Sequence, residues 1–118
     1  MLKLNHKNLD VWQIAMKFVS KIYKTTKVFP KVELFGLTSQ IRRAAVSIVS
    51  NIAEGSARSS APDRRRFYEI SRSSLVEIDS QLEISQNLGY INEKNIQELE
   101  PYLEEIFAKI SNLIKSTK

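Results

Sequence analysis

Along this chain apolar residues recur at intervals of three and four, the repeat of a helix with one buried face, and β-branched residues show no sustained alternation with polar ones such as a strand requires. Four such stretches occur. The first is predicted to open at Asp10, whose side chain suits the free amides of a first turn, with Gln13 three residues later as in a capping box. It runs to about Lys27, ahead of Phe29-Pro30. Val11, Ile14, Ala15, Phe18, Val19 and Ile22, with Trp12, Met16 and Tyr23, share an arc of roughly 200°. The strip left over is Gln13, Lys17, Ser20, Lys21, Lys24 and Lys27, which holds four lysines and no acid.

Pro30 to Gly36 is predicted to be a connection, since proline cannot donate into a helix and glycine tolerates turn dihedrals. A second helix follows over roughly Leu37 to Ala57. Its face is Leu37, Ile41, Ala44, Ala45, Ile48 and Ile52, and Val46, Val49 and Ala53 widen the apolar arc to about 200°. That width implies two contacts, one with the rest of the bundle and one with a neighbouring helix or chain. The many Ala and Ser residues permit close packing.

Ser60-Ala61-Pro62-Asp63 is a strong helix start, because proline suits the first turn and the acid opposes the positive helix end. This third helix is predicted to end at Leu88 with Gly89 as its cap. Its inward face is expected to be Phe67, Ile70, Leu75, Ile78 and Leu82, with Ser71, Ser74 and Ser85 interleaved and Glu77 and Gln81 at the border. Asn92 caps a fourth helix in which Ile96, Leu99, Leu103, Ile106, Phe107, Ile110, Leu113 and Ile114 share one arc. Pro101 falls on the wetter side, where it is expected to bend or restart the helix. Short connections between helices of similar length predict an all-α, antiparallel up-and-down four-helix bundle.

With 118 residues the chain is expected to form one domain, preceded by a tail over residues 1–9. Its 42% hydrophobic and 26% charged residues exclude a disordered chain. No cysteine is present, which removes disulfides and thiolate chemistry. The N-terminus lacks the apolar core of a signal peptide, and no apolar run approaches the ~18 residues of a membrane span. The cytoplasm is therefore the expected location, with no membrane partner.

Charge is more informative in its distribution than in its net value of +5. Residues 1–72 hold 14 Lys+Arg against 5 Asp+Glu, and residues 73–118 hold 4 against 8. Such polarity suits nucleic acid, and it equally suits pairing of acidic with basic helices. The strip of Lys17, Lys21, Lys24 and Lys27 fits phosphates or a solvated face. A second basic cluster, Arg58, Arg64, Arg65, Arg66 and Arg72, flanks the start of the third helix, where free amides already favour anions. Phosphate and carboxylates of the same or another chain are both suitable partners. No aromatic residue is expected among these arginines, so base stacking is not indicated.

Catalysis needs convergent groups, and His6, the only histidine, lies in the tail, expected to be exposed. No phosphate-binding glycine loop, metal-ligand spacing or nucleophile-base pair occurs, so no catalytic residue, metal or cofactor is expected. Arg42, Arg43, Asn51 and Glu54 lie on or beside the second helix's apolar face. They are expected to be structural or interfacial, with Glu77 the expected partner of Arg42.

Three stretches, Asn8 to Tyr23 (NLDVWQIAMKFVSKIY), Phe35 to Gly55 (FGLTSQIRRAAVSIVSNIAEG) and Ser71 to Ser85 (SRSSLVEIDSQLEIS), with LGYI at Leu88 to Ile91, carry a resemblance across nearly the whole chain. It resembles the bacterial four-helix-bundle proteins encoded within intervening sequences of 23S ribosomal RNA genes. Arg42, Arg43, Ser50, Asn51, Glu54 and Gly55 stand where that family's signature has them, while Val49 and Ser73 replace a common proline and glycine. The family is similar to the accessory protein of diversity-generating retroelements, a pentameric barrel that binds nucleic acid and a reverse transcriptase. The resemblance implies a homopentamer here, with RNA, DNA or a protein such as a reverse transcriptase as partner. The expected function is a non-enzymatic, homo-oligomeric bundle that binds nucleic acid without sequence preference; the alternative is a protein-interaction adaptor. Val46 and Val49 are the expected interface between subunits.

Overall fold

Each of the four periodic stretches is a helix in the structure, a computed structural model that describes residues 1–118. Helices α1 (Asp10–Thr26), α2 (Leu37–Ser56), α3 (Ala61–Asn87) and α4 (Glu93–Ser116) are joined by short connections, with single 3-10 turns at Asn5–Asn8 and Lys31–Glu33. Only α1 with α2, α2 with α3, α3 with α4 and α4 with α1 approach closely, so the helices ring the core in chain order. Cross-links tie opposite ends of neighbours: Arg42 of α2 to Thr26 of α1, Tyr68 of α3 to Ser56 of α2, and Lys109 of α4 to Asp10 of α1. The bundle is thus up-down-up-down. Phe18, Ile22, Ile41, Ile48, Ile52, Ile78, Ile106 and Ile110 are wholly buried at its centre.

Local chemistry sets most helix ends. The Ser60 hydroxyl accepts from the Asp63 N–H at 3.2 Å, and Asn92 and Asn95 cap each other's backbone reciprocally. Gly89 has φ +81°, a conformation costly for any residue with a Cβ, and it turns the chain so that the Tyr90 N–H reaches the Ser85 carbonyl at 2.9 Å. Pro101 neither breaks nor restarts α4, because the carbonyl it leaves unpaired belongs to Gln97 on an exposed turn.

The start of α1 differs from expectation. Leu9 occupies the cap position without a side-chain bond, the Asp10 carboxylate pairs with Lys109, and Gln13 Nε2 donates to the Lys7 carbonyl at 2.9 Å. His6 is buried, not exposed: its 3-10 turn packs on α1 and α2, and its ring meets the Trp12 ring edge-on at 5.2 Å. In α3, Tyr68 and Gln81 are buried where Phe67 and Ile70 were expected, Ile70 being exposed and Phe67 half-buried; in α4, Phe107 is exposed. Close packing of α3 on α2 sets this rotation. Ser71 Oγ donates to the Ile48 carbonyl at 2.8 Å, Ser47 and Ser74 hydroxyls lie 2.9 Å apart, and Tyr68 rests against Gly55.

The wide apolar arc of α2 is satisfied within the chain, with α1 on one side and α3 on the other. Val49 packs against the core, leaving Val46, 43% exposed, as the arc's outward residue. A single exposed valine is ordinary for a protein surface.

Candidate nucleic-acid interface

Helix periodicity places Lys17, Lys21 and Lys24 on one face of α1, Lys27 follows at its C-cap in helical conformation, and all four are exposed. None has a carboxylate within 4 Å; the ion pairs of this chain are Glu54–Arg58, Asp63–Arg66, Asp10–Lys109 and Glu105–Lys109. Lys17, Lys21 and Lys24 with Ser20 and Tyr102 line a shallow concavity of about 350 Å³ between α1 and α4. Beyond Lys17 it continues over Ile14, Pro101 and Tyr102 to Glu105. Tyr102 is held there by stacking on the buried Phe18, ring centroids 6.1 Å apart and 27° between planes. Sequence reasoning missed Tyr102, since nothing local to α4 signals which strip of α1 it will meet.

The arginines flanking α3 are mostly engaged by their own chain. Arg58 binds Glu54 at 3.0 Å, Arg64 donates to the Ser59 carbonyl at 2.9 Å, and Arg65 donates to the Thr117 carbonyl at 2.7 Å. Arg66 pairs with Asp63 at 3.2 Å, and Arg72 reaches Ser111 Oγ at 3.2 Å. The expectation that no aromatic stands among them is corrected by Phe67, which the Arg58 and Arg66 guanidiniums approach to 4.6 and 4.5 Å from its ring centre. Cations that cover an aromatic ring in this way gain from its negative face and leave less of it for a base. These arginines tie the α2–α3 corner and α4 to the start of α3.

Arg42 does not pair with Glu77. Its Nε donates to Thr26 Oγ1 at 2.9 Å, its Nη2 to the Tyr23 carbonyl at 3.3 Å, and its guanidinium lies 4.6 Å from the Tyr23 ring centre. The end of α1 leaves carbonyls without helical partners, and a cation from the start of α2 meets that negative end. Glu77 instead faces solvent and accepts from Gln81, while Arg43 shares a polar groove with it, Ser47 and Ser74. Asn51 Nδ2 donates to the Ser47 carbonyl and hydroxyl at 2.8 and 2.9 Å, extending the serine contact between α2 and α3.

One ionisable group has a shifted titration. The Tyr90 hydroxyl donates to Glu33 Oε2 at 2.8 Å, and losing that bond, with burial and the carboxylate's charge, raises its pKa above the usual 10.0. A raised pKa means that this pairing stabilises the fold at pH below the ordinary tyrosine range and is lost as pH climbs through the folded value. Absorbance titration is expected to show a tyrosine step above the usual 10.0 that Tyr90→Phe removes, and a high-pH step unchanged in that variant would contradict it.

A family model described as 23S rRNA-intervening sequence protein matches residues 7–112. The chain belongs to that family. The match runs from the first 3-10 turn through most of α4, and so includes the lysine strip, the α2–α3 serine contacts and Tyr102. Among solved structures, the chain is similar to a protein of unknown function from the S23 ribosomal protein family of Bacteroides thetaiotaomicron VPI-5482, with a TM-score of 0.79 and 24% identity. That similarity covers 90% of this chain and 99% of the other, and it shows the shared fold. No protein of curated function matches the chain. No helix is long and apolar enough to cross a membrane.

Proposed function

We propose that this family member is a non-enzymatic homo-oligomer, a ring of five by its resemblance to the retroelement accessory protein, that binds nucleic-acid backbone through α1. The observation that carries the reading is the acid-free face of Lys17, Lys21, Lys24 and Lys27, exposed and without ion pairs. Lysines with no internal partner keep their full charge for phosphate, whereas the arginines at α3 are already bonded. Point charges on a regular helix read no base edge, so binding is expected to be indifferent to sequence. A ring repeats the strip on each subunit, and weak contacts then add through multivalency.

The test is fluorescence anisotropy with several unrelated RNA and DNA oligonucleotides across a salt series. If four lysines per subunit neutralise phosphates, affinity for duplex falls roughly 100-fold between 50 and 200 mM salt, and by similar amounts for all sequences. No binding to either nucleic acid at physiological salt would defeat the reading and leave an acidic protein as the partner of the strip.

A further inference from the structure

We infer that the tip between α1 and α2 of one copy docks into the groove between α3 and α4 of a second copy, head to tail. The inference rests on the homo-oligomeric reading and names the surfaces that would make the oligomer.

The tip is apolar and basic. Val32 and Phe35 are 85% and 93% exposed, Val28 and Leu34 are exposed beside them, and Lys27 and Lys31 are the flanking charges. Its one acid is engaged inward: Glu33 accepts from the Leu37 N–H at 3.2 Å and from the Tyr90 hydroxyl at 2.8 Å. Phe29 is buried against Tyr90, ring centres 5.4 Å apart, so the tip is anchored to the α3–α4 connection and presents its valines and Phe35 in a set arrangement. An element ordered in advance loses less entropy on docking.

The groove is apolar and acidic. Leu75, Val76, Leu103 and Phe107 line a depression of about 380 Å³ with Asp79 and Glu104 at its sides, Val76 and Phe107 being 53% and 45% exposed. Toward the tip end of the bundle it runs on past Glu83 and Glu100. None of these four carboxylates has a basic partner within 4 Å. An apolar floor with unpaired acids matches an apolar tip with unpaired lysines, and the match explains the opposite charge of the two halves of the chain. The lysine strip of α1 lies along a shallow concavity and does not project into a groove, and the arginines at the start of α3 are bonded within their own chain.

Geometry sets the mode of association. The tip is carried by the α1–α2 connection and the groove by α3 and α4, so the contact joins two different surfaces of the chain. Such a contact is heterologous, and repetition closes a ring or grows a chain. Lys27, at the end of the strip, is the one lysine the two surfaces share. In the assembled oligomer Lys17, Lys21 and Lys24 stay free for nucleic acid, and three contacts lower the expected loss of affinity between 50 and 200 mM salt to roughly 40-fold.

Light scattering coupled to size exclusion at tens of micromolar tests this with a tip variant, Val32→Glu with Phe35→Glu, and a groove variant, Val76→Glu with Phe107→Glu. All four side chains are exposed, so circular dichroism is expected to show both variants as helical as the parent. The parent is expected to elute as several subunits, each variant as a monomer, and their equimolar mixture as a heterodimer, the intact groove of one receiving the intact tip of the other. If either variant is unfolded, Lys27→Glu with Lys31→Glu and Asp79→Lys with Glu104→Lys replace them, with the same pairing expected on mixing. Variants that keep the parent's size overturn the inference and leave oligomerisation standing by another surface. Monomeric variants that stay monomeric when mixed also overturn it. A monomeric parent overturns both the inference and the oligomeric reading.

Discussion

Reversing Lys17, Lys21 and Lys24 to glutamate is expected to weaken binding to RNA and DNA alike by roughly 100-fold at physiological salt, through lost attraction and added repulsion. The three residues are exposed and unpaired, so the change removes no internal bond and helicity is expected to stay at the parent's level. The slope of log affinity against log salt should flatten by about 2 to 3, the number of phosphate contacts removed per bound site. Reversing Arg64, Arg65 and Arg66 is the informative contrast. Those side chains hold the Ser59 and Thr117 carbonyls and Asp63, so that variant is expected to lose thermal stability instead. If the lysine variant, folded and oligomeric, binds as tightly as the parent, α1 is not the interface.

Gly55→Val is expected to destabilise the fold by about 2 to 3 kcal/mol and to lower the melting temperature by about 10 °C. Gly55 is buried at the α2–α3 crossing, where an added Cβ would lie 2.6 and 2.9 Å from Tyr68 ring carbons and 3.1 Å from Phe67 Cβ. The Tyr68 ring cannot yield easily, being buried with its hydroxyl 3.1 Å from Ser56 Oγ. Replacing a helical glycine returns up to about 1 kcal/mol of backbone entropy, which the strain outweighs. Trimming the obstacle identifies the mechanism. Adding Tyr68→Ala to Gly55→Val should cost less than the sum of the two single changes, because the valine then fills space the ring vacates. Additive losses in thermal or denaturant unfolding would place the strain elsewhere.

The features legible in the sequence are those decided within a turn or two of backbone. Ser60 with Pro62 and Asp63, the Asn92 cap and Gly89 act on amides and carbonyls three to five residues away, and each lies where the spacing predicts. Apolar periodicity likewise identified all four helices and the buried Phe18, Ile41, Ile48, Ile78 and Ile106. The lysine strip was legible for the same reason, since four residues on one helix face need no other helix to align them.

Tertiary structure decided whatever depends on which helix faces which. Arg42 found the carbonyl end of α1, not Glu77, because antiparallel packing brings the start of α2 to that end. Asp10 was drawn from capping to Lys109, a residue 99 positions away. Tyr68 is buried in place of Phe67 and Ile70, its ring seated in the space that Gly55, lacking a Cβ, leaves at the α2–α3 crossing. Packing of α1 and α3 on α2 covered its arc from both sides, leaving Val46 as its outward valine. Periodicity gives the width of an apolar face but not its partners, whereas side-chain volume at a crossing fixes the angle from which each helix is seen. That is why this sequence determined its helices, caps and free lysines, and only the packed bundle determined that Tyr102 lies beside those lysines and that the apolar groove between α3 and α4 has an acidic rim.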